Sequence, residues 1–231
     1  MKNKKKILLK VSGEIFSQGS TNKPHIELIN QIKKLQKNCS FAIVIGAGNL
    51  FRGPIQGKEL GLSRCVGDEI GMLATILNSK ILQDLLNQNN IESTILSTIT
   101  CPQYTDQISQ QKINDAFKAN KIIIFAGGTG NPGFSTDTNG VIRSLQIEAD
   151  EMWKLTKVDG IFDKDPIKHK NAKLIKSISY DEFLKKNLLV LDQTAIVFAK
   201  QNKLKIRVLN FAQKNCLEKA LKDSSCGSLI S

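Results

Sequence analysis

The run from Ile122 to Thr138, IIIFAGGTGNPGFSTDT, constrains this chain most tightly. Ile122, Ile123, Ile124 and Phe125 have the unbroken hydrophobicity of a strand buried on both faces of a parallel sheet. Gly127, Gly128, Gly130 and Gly133 follow, with Asn131-Pro132 between them. A Thr-Asp-Thr cluster then leads into an apolar run with helical spacing. Strand, glycine-rich turn and helix start together present backbone N–H groups to an anion. Glycine suits such a turn because a side chain would block close approach and because tight turns often need positive φ. Thr129, Ser135, Thr136 and Thr138 add hydroxyl donors. The stretch reads as a site for a phosphorylated ligand.

Two more strands end in glycine turns. KILLKV (6–11) reads as a first strand running into Ser12-Gly13-Glu14. Lys10 at its end is either an ordinary charged strand terminus or a phosphate-binding lysine. A polar loop is expected over 17–24 and a helix over 25–37. FAIVIG (41–46) reads as a second buried strand, opening into Gly46–Gly53. Arg52 in that turn suits bidentate phosphate recognition. A loop is expected over 54–63, then a long helix over 65–87. Its apolar series Met72, Leu73, Ile76, Leu77, Ile81, Leu82 and Leu85 is assigned to the core. Asp68 near its start either complements the helix dipole or faces a ligand hydroxyl.

The remaining pattern predicts a strand at 92–97, a helix at 106–119, a helix at 139–149 and a strand at 152–156. Asp159-Gly160 is a hairpin-type turn signal. Helices at 179–187, 192–201 and 214–222 flank a strand at 205–210, and a last strand falls near Leu229. Alternation of strands and helices predicts an α/β fold with a mainly parallel sheet. The glycine turns follow the carboxyl ends of three strands, the edge at which open α/β sheets bind ligands. Three anion-ready turns exceed what one pyrophosphate needs. They suit two phosphorylated ligands meeting head to head, as phosphoryl transfer requires.

The formal net charge of +12 raises nucleic acid as a partner, yet only Arg52, Arg64, Arg143 and Arg207 among the 33 basic residues are arginines. The lysines are scattered and have no interleaved aromatics, so the reading is a solvated lysine-rich surface without a nucleic-acid partner. Cys39, Cys65, Cys101, Cys216 and Cys226 form no CxxC pair, which fits reduced thiols in a cytoplasmic protein and no zinc site. After the N-terminal lysines the apolar run Ile7-Leu8-Leu9 is too short for a signal segment, and no stretch suits a membrane span. His25 and His169 read as surface residues. Nothing matches GxxxxGK[ST], which argues against an ordinary P-loop kinase. Gly128, Gly130 and Gly133 match GxGxxG, with Asp150 where a ribose-binding acid would fall. The late position of the motif and Pro132 within it weigh against a dinucleotide site.

The segments KVSGE (10–14), IGAGNLFRG (45–53), VGDEIGMLATILN (66–78), GTGNPGFSTDT (128–138) and KLTKVDGIFDKDP (154–166) closely resemble the bacterial-type UMP kinases of the amino acid kinase superfamily. The resemblance runs nearly end to end. It implies one amino acid kinase domain over 1–231, a three-layer α/β/α sandwich around a mainly parallel sheet. The implied reaction moves the γ-phosphoryl group of ATP to UMP, with Mg²⁺ carried on ATP and no dedicated metal site, in a homohexamer. Carried over residue by residue, Lys10, Val11, Ser12, Gly13, Gly48, Arg52, Thr156, Phe162 and Asp165 fall at ATP positions. Ala47, Asp68, Thr129, Gly130, Asn131, Pro132, Gly133, Phe134, Ser135 and Thr136 fall at UMP positions. Lys10 and Lys154 match charge-stabilising lysines, Asp137 the acid that orients them, and Asp192 a further acid near the site.

Three departures stand out. Ala47 replaces a usual glycine. Gly133 replaces a usual aromatic, which is expected to loosen the phosphate loop. The segment 17–25 lacks the glycine- and acid-containing pattern tied to GTP activation. Two rival readings remain: a family member acting on a carboxylate or carbamate, and a nucleotide-binding protein without turnover.

Overall fold

The computed structural model describes residues 4–17 and 23–231. The polar loop expected over 17–24 falls mostly on 18–22, and the first lysine on residue 2, outside the described residues. In chain order the first half comprises β1 (Lys5–Val11), α1 (Pro24–Leu35), β2 (Cys39–Ile45), α2 (Arg64–Gln88), β3 (Ser93–Ser97), β4 (Asp106–Gln107), α3 (Gln110–Lys118) and β5 (Ile122–Ala126). The second half comprises α4 (Thr136–Gln146), β6 (Glu151–Thr156), β7 (Ile161–Phe162), β8 (Leu174–Ile175), β9 (Ser177–Ile178), α5 (Tyr180–Lys185), α6 (Gln193–Gln201), β10 (Ile206–Asn210), α7 (Cys216–Lys222) and β11 (Ser228–Ile230).

Nine strands form one sheet in the order β4-β3-β5-β2-β1-β6-β10-β11-β9. Every neighbouring pair is parallel except β10 and β11. The period-2 alternation of strand side chains explains the layers. On β1, Ile7, Leu9 and Val11 join the apolar cluster that α1, α2 and α7 cover. Leu8 points the other way, into the cluster that α3, α4, α5 and α6 cover. The expected α/β/α sandwich is thus the observed one. Central strands β2 and β5 are buried almost throughout, which is why they read as continuous apolar runs, while β1 is buried at Ile7, Leu8, Leu9 and Val11.

Several boundaries differ from the sequence reading. The helix expected over 106–119 begins at Gln110, because Ser109 caps it by accepting the Lys112 N–H. Asp106-Gln107 instead extends the sheet by pairing with Leu96-Ser97. The expected loop 54–63 contains a helical turn at Gly53–Gly57 packed on α2. Asp159-Gly160 does not close a hairpin between β6 and β7; β7 pairs antiparallel with β8 as a separate ribbon. On α2, Leu73, Leu77 and Ile81 are 51%, 59% and 42% exposed, so these three leave the predicted core. His25 is half-buried, with Nδ1 3.2 Å from the Ile15 carbonyl, whereas His169 is exposed as expected. No described helix is long and apolar enough to cross a membrane.

One buried ionic cluster ties the sheet centre together. Glu151, at the start of β6, accepts from Trp153 Nε1 at 2.7 Å, Arg207 Nε at 2.9 Å and Lys5 Nζ at 2.9 Å. Arg207 of β10 also donates to the carbonyls of Ser224 at 2.5 Å and Cys226 at 3.2 Å. Strands β1, β6 and β10 and the turn before β11 thus share one charged knot.

Candidate active site

Because β1, β2 and β5 are parallel neighbours, their carboxyl ends bring the three glycine turns to one edge. Close packing makes the glycines necessary. A Cβ on Gly13 would lie 2.4 Å from the Gly46 carbonyl oxygen, so the first two turns touch backbone to backbone. Gly127 has φ +77°, and its N–H donates to Thr75 Oγ1 at 2.9 Å. Thr98 Oγ1 donates to the Gly127 carbonyl at 2.6 Å. The loop is therefore fastened to α2 and to the end of β3.

Strand register explains the two lysines. Lys10 of β1 lies directly opposite Lys154 of β6 in a parallel pair, so their side chains emerge on the same face. Ser135 caps α4, accepting the N–H groups of Asp137 and Thr138, which starts that helix at Thr136 rather than the expected 139. The first turn of α4 then projects Asp137 between the lysines. Its Oδ2 is 2.5 Å from Lys154 Nζ and its Oδ1 2.9 Å from Lys10 Nζ. The Lys10 contact is an ion pair without hydrogen-bond alignment, so Oδ1 has charge compensation but no donor. Lys154 Nζ also donates to the Val190 carbonyl at 2.5 Å.

Burial alone would raise the Asp137 carboxyl, but the two ammonium groups outweigh it and hold it below the usual carboxylate range. Burial and the Lys10 charge push the Lys154 ammonium below its ordinary value against the pull of Asp137. Two buried cations share one anion. The cluster therefore carries excess positive charge that a phosphoryl group would neutralise.

A cavity of about 650 Å³ opens over this edge. Of the residues singled out from the sequence, it is lined by Lys10, Ser12, Ala47, Gly48, Arg52, Asp68, Asn131, Gly133, Phe134, Ser135, Thr136 and Asp192. Asp137 and Lys154 lie just behind Lys10. Asp192 caps α6 through the Ala195 N–H at 2.8 Å and accepts from Ser135 Oγ at 2.5 Å and Thr138 Oγ1 at 2.9 Å. It thereby clamps the start of α4 to α6. Asp68 accepts from Arg64 Nε at 2.9 Å and from the Gly133 N–H at 2.8 Å. Gly133 sits at φ +87°, and the Asp68 bond pins the loop at the residue expected to loosen it. Thr129 folds onto its own loop, its Oγ1 donating to the Asn131 carbonyl and accepting the Asn131 N–H.

Other predicted residues lie outside the cavity. Val11 packs in the core, and Gly13 is covered by Asn49, Gly46 and Asn78. Gly130 and Pro132 shape the loop without lining the cavity. Thr156 ends β6 beside Lys154 and donates to the Val158 carbonyl at 2.8 Å. Phe162 lies on β7, and exposed Asp165 accepts the Ile167 N–H at 2.9 Å. The dinucleotide alternative fails on placement. Asp150 accepts the Lys6 N–H at 2.7 Å, at the amino end of β1, on the edge opposite the glycine loop.

The sequence reading gave no role to Glu14, Arg64 or Asn78. Glu14 pairs with Arg52 and, at 2.7 Å, with Lys157. Arg64 was legible from its i,i+4 spacing to Asp68. Asn78 is fully buried and donates to the Gly46 carbonyl at 2.7 Å, which holds the second glycine turn. An amide within the apolar face of α2 was its only signal.

An anion-seeking lysine pair beneath three glycine turns, on the carboxyl edge of a parallel sheet, is the equipment of a phosphoryl-transfer protein. The chain belongs to the amino acid kinase family, whose model matches residues 5–210. It is 41% identical over 231 residues to the uridylate kinase of Fervidobacterium nodosum, covering 98% of this chain and 97% of that one. It is 40% identical to the uridylate kinase of Wigglesworthia glossinidia brevipalpis, covering 98% and 96%. Among solved structures, UMP kinase from Ureaplasma parvum superposes with a TM-score of 0.92 at 32% identity, covering 99% of each chain.

Proposed function

We propose that this chain, acting as one amino acid kinase domain over residues 1–231, transfers the γ-phosphoryl group of ATP to UMP. The products are UDP and ADP, a step of pyrimidine nucleotide synthesis. The observation that carries the reading is the Lys10–Asp137–Lys154 cluster under the glycine turns, in a chain whose full-length relatives are uridylate kinases.

In this reading Lys10, Ser12, Gly48 and Arg52 hold the ATP phosphates, Val11 and Gly13 shape the ATP turn from behind, and Thr156, Phe162 and Asp165 hold its nucleoside. Ala47, Asp68 and residues 129–136 hold UMP. The UMP phosphate oxygen is ionised at neutral pH and attacks without a general base, so no catalytic histidine is required. Lys10 and Lys154 face the negative charge that spreads over the transferred group. Asp137 keeps the two ammonium groups aimed, and Asp192 holds α4, and so Asp137, in place.

The local carboxylates are engaged: Asp137 by two lysines, Asp192 by two hydroxyls and an N–H, and Asp68 by Arg64 and Gly133. With these carboxylates so engaged, this reading has Mg²⁺ arrive on the ATP phosphates and partly neutralise them.

The exposed apolar stripe Leu73, Leu77 and Ile81 on α2 supports self-association, and we assign the homohexamer to it in part. Leu77→Glu is expected to lower the native mass in analytical ultracentrifugation at unchanged helix content; an unchanged mass would remove α2 from the interface. The five unpaired cysteines suit a cytoplasmic protein.

The functional reading is tested by ADP release from Mg-ATP with UMP, CMP, dTMP, acetylglutamate, aspartate and carbamate offered in parallel. Turnover with UMP is expected. Turnover with a carboxylate or carbamate instead would overturn the acceptor assignment.

A further inference from the structure

The acceptor pocket contains a glycine that neither a turn nor close packing explains. Gly71 lies inside α2, three residues after Asp68 and four before Thr75, and all three line the cavity. A glycine inside a helix weakens it relative to alanine. Elsewhere in α2 a glycine has a packing reason: Gly67 sits 3.1 Å, measured from an added Cβ, from the Gly53 carbonyl oxygen. An added Cβ at Gly71 would meet nothing within 4 Å. Its missing side chain is open space, and that space belongs to the cavity.

The neighbouring chemistry says what fills it. The groups suited to phosphate come from the ends of β1 and β2 and the start of α4: Lys10, Arg52, the backbone of Gly46–Gly48, and Thr136. The α2 wall offers one cation, Arg64, already paired with Asp68. Met72 and Thr75 make the rest of that wall apolar or engaged, since Thr75 Oγ1 donates to the Met72 carbonyl and accepts the Gly127 N–H. A carboxylate that can receive hydroxyls, beside an uncharged surface, fits a sugar and its base, not a phosphate.

We propose that Gly71 is a specificity-determining residue of the acceptor site, leaving room on the α2 wall for the nucleoside of the nucleoside monophosphate. The proposal rests on the acceptor reading above. Any side chain at 71 occupies the volume of the ribose or base and leaves the ATP side of the cavity untouched. Stability and acceptor binding must then respond in opposite directions to one methyl group.

The test compares wild type, Gly71→Ala and Gly71→Ser by steady-state kinetics in both substrates and by thermal melting. Gly71→Ala is expected to raise the KM for UMP by about tenfold or more. The KM for ATP stays at the wild-type value, and the melting temperature rises by about 2–4 °C. Gly71→Ser, one atom larger, weakens UMP further. A purely structural role would move both KM values together or lower the melting temperature, and either result overturns the proposal. An unchanged UMP KM in Gly71→Ala beside normal wild-type turnover overturns it alone. A wild-type enzyme silent toward UMP overturns the acceptor reading and this proposal with it.

Discussion

Lys10→Ala lowers kcat for UMP phosphorylation by about a hundredfold or more, with the fold retained. The transition state of phosphoryl transfer places charge on the equatorial oxygens, and the Lys10–Lys154 pair supplies one more positive charge than Asp137 cancels. Without Lys10, Asp137 and Lys154 form a neutral pair, and the excess charge is gone. The fold survives because Lys10 contributes its charge at the strand end while Leu8 and Leu9 carry the burial of β1. Steady-state kinetics at saturating ATP and UMP, beside a thermal melt, check this. A kcat near wild type would remove Lys10 from the transition state.

Arg207→Met destabilises the protein by about 3–5 kcal/mol, because it leaves Glu151 buried with only Lys5 and Trp153 as partners. Burial would raise the Glu151 carboxyl, but Arg207, Lys5 and Trp153 override it and lower it from 4.5 to about 2. A folded-state value below the unfolded one means stability that is present above the unfolded pKa and lost in acid. Wild-type stability therefore falls as pH drops from 4.5 toward about 2, by about 3 kcal/mol for this group. In Arg207→Met that acid-dependent loss shrinks, because the folded-state carboxyl moves back toward its ordinary value. Urea unfolding across this pH range reads both effects. Equal midpoints for the two proteins at neutral pH would contradict the account. The double variant Arg207→Met with Glu151→Gln is expected to recover part of the loss, since no buried charge is then left unpaired.

How much of this was legible in the sequence varies with the physical cause. The central strands announced themselves because burial on both faces leaves no polar alternation to misread. The glycine loop was legible because Gly127, Gly130 and Gly133 occupy positive φ, which few other residues tolerate. The sequence pattern starts α3 four residues too early and α4 three residues too late, because in both a capping serine and not the first apolar residue sets the boundary. The outward face of α2 is not separable from the core by pattern, because the exposed Leu73, Leu77 and Ile81 have the same helical spacing as the buried residues of the same helix. The Lys10–Lys154 register could not be read locally, since it depends on β1 pairing with a strand well over a hundred residues away. Nor could the Glu14–Arg52–Lys157 bridge, whose partners are joined only by the sheet edge.

The most direct test of the central claim follows the label from γ-labelled ATP incubated with Mg²⁺, UMP and the purified protein. The account predicts label in the β-phosphoryl group of UDP, one per ADP formed, and loss of that transfer in Lys10→Ala. Label released as inorganic phosphate, or no transfer to UMP in a protein that binds it, would contradict the account.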